Sequence, residues 1–167
     1  EGLYAGAGGY SCSASSVNSG STTSQPFEPF MAFEGNTSPA ANTWVTAVGS
    51  YIGGTGGGGG SYYGSNSIVT TTGTASGEYI ILNMPHPLKL TAVKLAGQYS
   101  TSPPRISAPR NWSVYGKNSG DWELIQQFTN QVPGNGFSTY NLTTPSTKAY
   151  QSFAILVTES NGDTIVC

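Results

Sequence analysis

Charge is what this sequence has least of. Six Lys or Arg and eight Asp or Glu make up 8% of the 167 residues, against roughly 25% in an average soluble protein. Ser, Thr, Asn, Gln and Gly must therefore make the surface polar, which favours a secreted or externally displayed protein over a cytosolic enzyme. A net charge of −2 leaves no basic stripe for nucleic acid and no polybasic patch for a membrane surface. No apolar run approaches the roughly 20 residues of a spanning helix. The chain opens at Glu1 without a leader-like stretch, the expectation for a mature, processed product.

Reactive groups are as sparse. His86 is the single histidine and sits between prolines. No Ser or Cys nucleophile stands in a motif, so no triad can be assembled. Asp121 and Glu123 are neighbours at a turn rather than a separated glycosidase pair. Two distant cysteines and one histidine make no zinc site. These absences argue against an enzyme.

Present instead are β signals. The most informative stretch is Asn111 to Ile125, NWSVYGKNSGDWELI. Two aromatic, β-branched runs flank a short polar turn, Asn118-Ser-Gly-Asp, which is the pattern of a β-hairpin. Alternation places Trp112 and Val114 on one face and predicts Trp122 and Leu124 beside them, two indoles buried by one hairpin. Tyr150 to Thr158 is apolar on both faces, the mark of a central strand. Gly77 to Met84 is predicted as a strand closed by Pro85-His86-Pro87. Leu88 to Gln98 is predicted as a strand with a bulge near Thr91-Ala92. Further β-rich runs are Trp44 to Ile52, Ser67 to Thr72 and Phe137 to Leu142, with a short apolar run at Phe27 to Phe33. Tyr99 to Pro109 reads as a loop. Short strands punctuated by Gly, Pro and Asn predict an all-β antiparallel sandwich or jelly roll. The Gly/Ser-rich residues 1–25 are expected as an extended N-terminal arm, with the domain over 26–167. Such a stretch cannot order itself; it needs a bridge at Cys12, the domain surface or an adjacent subunit.

Cys12 and Cys167 lie near opposite ends. In an oxidising compartment a bridge between them closes a long loop, for which chain-entropy models give about 4–5 kcal/mol. Two unrelated thiols, or a bond to a neighbouring chain, are the alternatives.

In order, the segments Ala32-Phe-Glu-Gly-Asn36 with Thr43-Trp44, Gly77-Glu-Tyr-Ile-Ile-Leu, Leu90-Thr-Ala-Val-Lys-Leu, Pro109 to Trp122 and Phe153-Ala-Ile-Leu-Val form a series that resembles the discoidin, or coagulation-factor type C, domain of the galactose-binding-like jelly-roll superfamily. The resemblance runs from about Phe27 to the C-terminus. It implies a binding module with ligand loops at one end of the barrel. It also implies a disulfide joining first and last strands, which Cys12 and Cys167 would mimic. A calcium ion in the loop matching Ala32 to Thr43 is a further implication, with Glu34 and Asn36 as candidate ligands; Glu34 stands where Asp is usual. A plain surface loop is the alternative. The implied ligand loops contain Tyr62, Tyr63, Tyr99, Arg105 and Arg110. Aromatic faces meet sugar C–H surfaces and forked Arg donors meet hydroxyls; equally, the tyrosines cover a sheet edge and Arg110 pairs with an acid. Asn36, Asn111 and Asn141 head glycosylation sequons.

Two functions follow. One is an extracellular structural subunit of a fibre or coat, on a cell or virion surface, meeting copies of itself through the arm, with or without adhesion through glycans. The other is a stand-alone secreted carbohydrate-binding module.

Overall fold

The computed structural model describes residues 8–20, 27–33, 43–52, 60–96, 104–132, 136–162 and 166, with 4–5 and 99–101. Residues 4–5, 99–101 and 104–106 are described by backbone alone. The described strands are β1 (Tyr4–Ala5), β2 (Ser11–Ala14), β3 (Tyr51–Ile52), β4 (Gly60–Tyr62), β5 (Ser67–Thr70), β6 (Gly73–Ser76) and β7 (Glu78–Leu88), then β8 (Ala92–Ala96), β9 (Tyr99–Thr101), β10 (Pro104–Ile106), β11 (Pro109–Lys117), β12 (Glu123–Phe128), β13 (Phe137–Asn141) and β14 (Tyr150–Ser160).

One large antiparallel sheet runs β1-β2-β7-β14-β11-β12, with β4 against the end of β14 and β3 beside β4. Strand β14 is central because both its faces are apolar. Ile155 and Val157 join Trp112, Val114, Tyr51 and Phe128 on one face. The smaller β8–β13 sheet covers that face through Val93, Leu95 and Tyr140. Ala154 and Leu156 join Tyr115 and Trp122 on the other face, under Ile68 and Ala75 of the β5–β6 hairpin. The result is the expected antiparallel sandwich.

The two indoles are both buried, but on opposite faces. Trp112 stacks on Phe128 with ring centroids 4.2 Å apart. Trp122 precedes β12 and leaves the hairpin ladder: its N–H donates to Val69 O at 3.1 Å and its carbonyl accepts from Thr71 N–H at 3.0 Å. A bulge between Val114 and Tyr115 skips Ile125, so strict alternation fails across the turn. Leu124 is thereby 55% exposed instead of buried.

Other local expectations also shift. Strand β7 continues through Pro85-His86-Pro87, because residues 84–87 face only Gln151 between the pairs Asn83↔Ser152 and Leu88↔Tyr150. Prolines are tolerated where the ladder makes no bonds. The bulge expected near Thr91 is a full break, from Lys89 to Thr91. The loop expected over Tyr99 to Pro109 contains the β9–β10 hairpin. Phe27 to Phe33 holds a 3-10 helix, Pro29–Phe33, and Trp44 to Ile52 is strand only at β3. The segment expected as an arm supplies β2, which pairs with β7 through Cys12↔Leu82 and Ala14↔Ile80. The domain therefore begins before residue 26.

Candidate functional site

The ladders bring several connections to one end of the sandwich. Ser61 pairs with Glu159 and Asn111 pairs with Glu159, while Gly60 and Pro109 both pair with Ser160. The β9–β10 hairpin stops three residues before Pro109. This end is the rim on which the ligand-loop expectation falls.

At the rim lies a polar network centred on Glu159. Arg110 Nε is 3.5 Å from Glu159 Oε1, and Arg110 Nη2 donates to Asn130 Oδ1 at 3.4 Å. Both distances are long, and buried Nε makes no aligned hydrogen bond. Asn111 uses its whole amide: Nδ2 donates to Glu159 Oε2, and Oδ1 accepts the Asn130 N–H at 2.8 Å. Asn130 sits at φ 54°, a left-handed conformation that Asn tolerates. Asn161 Nδ2 holds the base together by donating to the carbonyls of Ala108 and Pro109 at 3.2 Å and Gln131 at 2.9 Å. One cation and one carboxylate balance within the described network.

The tyrosines divide. Tyr62 is a packing residue: its ring meets Tyr51 edge-on at 5.7 Å and its hydroxyl accepts the Asn66 N–H at 2.6 Å. Burial pushes its phenol pKa up. Tyr63 follows it, is 72% exposed, and is fixed by its N–H donating to Ser50 O at 2.9 Å. Ile52, paired with Ser61 in the β3–β4 ladder, and Val132 are exposed apolar side chains as well. Of Tyr99 and Arg105 the backbone alone is described, within the β9–β10 hairpin. Thus Arg110 does pair with an acid, as the packing alternative holds, yet it does so at the rim. Glu159, Asn130 and Asn161 were missed; Asn130-Gln131 after an apolar strand is a turn signal, but nothing local says that it faces Glu159.

A second polar cluster is interior. Glu78, 1% exposed, accepts hydrogen bonds from Ser15 Oγ, Ser16 Oγ at 2.7 Å, Ser50 Oγ at 2.8 Å and Asn66 Nδ2 at 3.1 Å. Among the described residues no cation pairs with it. Four neutral donors replace the water that a buried carboxylate loses. They tie the end of β2, the 43–50 segment and the start of β7 into one unit. At the opposite end of the sheet, Glu123 receives Lys148 Nζ and the Tyr150 hydroxyl, the latter at 3.1 Å.

The metal and bridge expectations fall mostly outside the described residues. Glu34, Asn36 and Cys167 all lie there. Among the described residues no group of three or more His, Cys, Asp or Glu converges. Among the described residues Cys12 is buried and has no disulfide partner, and burial raises its thiol pKa. Asn141 is exposed at the end of β13, whereas Asn111 is committed to the rim network. Among the described residues no helix is long and apolar enough to cross a membrane.

The sequence matches no protein-family model and no curated protein. The fold is similar to several solved structures. A family 32 carbohydrate-binding module of NanJ from Clostridium perfringens, in complex with galactose, aligns at TM-score 0.55 and 15% identity, over 94% of this chain and 87% of that one. Another family 32 module from Clostridium perfringens, in complex with GalNAc-β-1,3-galactose, aligns at TM-score 0.59 and 10% identity, over 94% and 88%. An F5/8 type C domain from Bacteroides fragilis aligns at TM-score 0.57 and 15% identity, over 91% and 87%. At these identities the likeness establishes the fold.

Proposed function

We propose, from a fold similar to that of carbohydrate-binding modules, that the protein is a non-catalytic, extracellular or surface-displayed module that binds an uncharged glycan at the Arg110–Glu159 rim. The observation that carries this reading is Arg110. Its side chain is 29% exposed at the rim, and the contact of its Nη2 with Asn130 Oδ1 is long, at 3.4 Å. Such a group gains from a sugar hydroxyl that offers better geometry. Exposed Tyr63 supplies a flat apolar face for sugar C–H groups. Arg105 and Tyr99 belong to the hairpin at the same end and complete the candidate set.

A glycan array with neutral mono- and oligosaccharides tests the reading. The wild type is expected to bind, and Tyr63→Ala, Arg110→Ala and Arg105→Ala each to weaken binding. Wild type that binds no glycan, with all variants folded, overturns it.

The low charge of 8% also favours a role as a repeating subunit of a fibre or coat, with the residues ahead of β2 reaching a neighbour. Sedimentation mass with and without residues 1–10 tests that role; a monomer in both cases refutes it.

A further inference from the structure

Two Asn–Gly pairs occur in the sequence, at 135–136 and 161–162, and the second lies at the rim. The fold fixes both of its residues there. Asn161 is 4% exposed, and its Nδ2 donates to the carbonyls of Ala108, Pro109 and Gln131. Its own N–H donates to Ala108 O at 3.0 Å. Gly162 sits at φ 124°, a conformation that a residue with a side chain rarely adopts.

The same pair is chemically labile. Asn is a thermolabile residue, and most so before Gly, because no side chain shields the following backbone nitrogen. That nitrogen attacks Asn161 Cγ and closes a succinimide. The side-chain nitrogen leaves as ammonia, carrying the proton that Gly162 N gives up. Water then opens the ring at either carbonyl, giving aspartate or isoaspartate, with no oxidant or reductant involved. While Nδ2 is engaged by three carbonyls, Cγ is not free to turn toward Gly162 N. Ring closure therefore waits for local opening at the end of β14.

We propose that Asn161–Gly162 is a deamidation site, closed while the rim is intact, whose conversion unties the rim irreversibly. The product replaces an amide donor by an acceptor-only carboxylate facing three carbonyl oxygens. Isoaspartate also adds a methylene to the main chain between β14 and Val166, whose N–H donates to Thr46 Oγ1 at 3.0 Å. Gln131, which loses its bond from Asn161, itself donates its N–H to Arg110 O at 2.9 Å. The damage thus reaches the strand that carries Arg110, whether or not the rim binds a glycan.

Incubation of the whole chain at mildly alkaline pH, folded and in urea, tests the proposal by peptide mass spectrometry. Three engaged hydrogen bonds amount to a restraint of roughly a hundredfold. Asn161 is therefore expected to convert about a hundredfold more slowly folded than unfolded. Conversion equally fast in both states overturns the proposal. So does an unconverted Asn161 after a time in which the slowed reaction would be complete. The converted fraction carries an added negative charge and separates by anion exchange. Its Gln131 and Val166 amides are expected to exchange hydrogen about tenfold faster than in the intact fraction. Tyr79 N–H, which donates to Ser15 Oγ at 2.8 Å away from the rim, is expected to be unchanged. Asn161→Asp is expected to show the same pattern as the aspartate product. Unchanged protection at Gln131 and Val166, or equal loss at Tyr79, overturns the untying of the rim.

Discussion

Replacing Glu78 by Ala is the sharpest probe of how the fold is tied. The carboxylate gathers four donors from three separate segments. Two have somewhere else to go. Ser50 Oγ already lies 2.8 Å from Ala47 O, and Ser15 Oγ lies 3.2 Å from Tyr79 O. The other two do not: Ser16 Oγ already accepts the Ala47 N–H at 3.0 Å, and its proton and Asn66 Nδ2 lose their acceptor. Each stranded half-buried donor costs about 1 kcal/mol or more, toward the low end of the range for buried groups, and the deleted methylene and carboxyl leave a void besides. Glu78→Ala is therefore expected to lose about 3–5 kcal/mol. Urea unfolding by fluorescence reads this as a lower midpoint at unchanged slope. Glu78→Gln keeps the volume and one acceptor, so its loss is expected to be smaller, about 1–2 kcal/mol. A loss under about 1 kcal/mol for Ala would refute the reasoning, because it would mean that water or the hydroxyls themselves satisfy the cluster.

Other perturbations have equally definite outcomes. A Cβ at Gly116 would come within 2.4 Å of the Tyr150 ring, so Gly116→Ala is expected to cost about 1–3 kcal/mol in thermal melts. Trp112, fully buried and stacked on Phe128, is expected to cost about 3–5 kcal/mol when cut to Ala. The hydrogen bond from Lys148 holds the Glu123 carboxyl below the usual carboxylate range, and the same bond raises Lys148. The pair therefore stabilises above the ordinary carboxylate pKa, loses its effect as pH falls through the lowered value, and loses it again above the raised lysine value. Carboxyl-carbon NMR of Lys148→Met is expected to show Glu123 titrating at a higher pH than in wild type. Expression in a glycosylating host, read by mass spectrometry, is expected to modify Asn141 and leave Asn111 bare, since Asn111 spends its amide on Glu159 and Asn130.

Patterns that act along a single strand were legible in the sequence. The two apolar faces of β14 announced its central place, and Ile80, Leu82 and Met84 shared a face as alternation demands. Errors arose where pairing between strands overrides local pattern. Trp122 is recruited by β5 across more than fifty residues, which no window around the hairpin can reveal. Pro85 reads as a stop because a proline breaks a ladder, but the bulge opposite Gln151 removes the ladder there first. The Gly/Ser-rich start lacked apolar area of its own, yet β2 borrows an edge from β7. The rim was legible only in part. Arg110 was visible as a forked donor, whereas Glu159 and Asn130 become its partners only after β11, β12 and β14 are aligned.

Amide NMR of the labelled protein, titrated with a galactose-terminated disaccharide, tests the central claim most directly. Saturable shifts confined to Tyr63, Arg110, Asn130 and their neighbours are the predicted result. Shifts centred on another surface, or none at millimolar sugar, would contradict a glycan-binding rim.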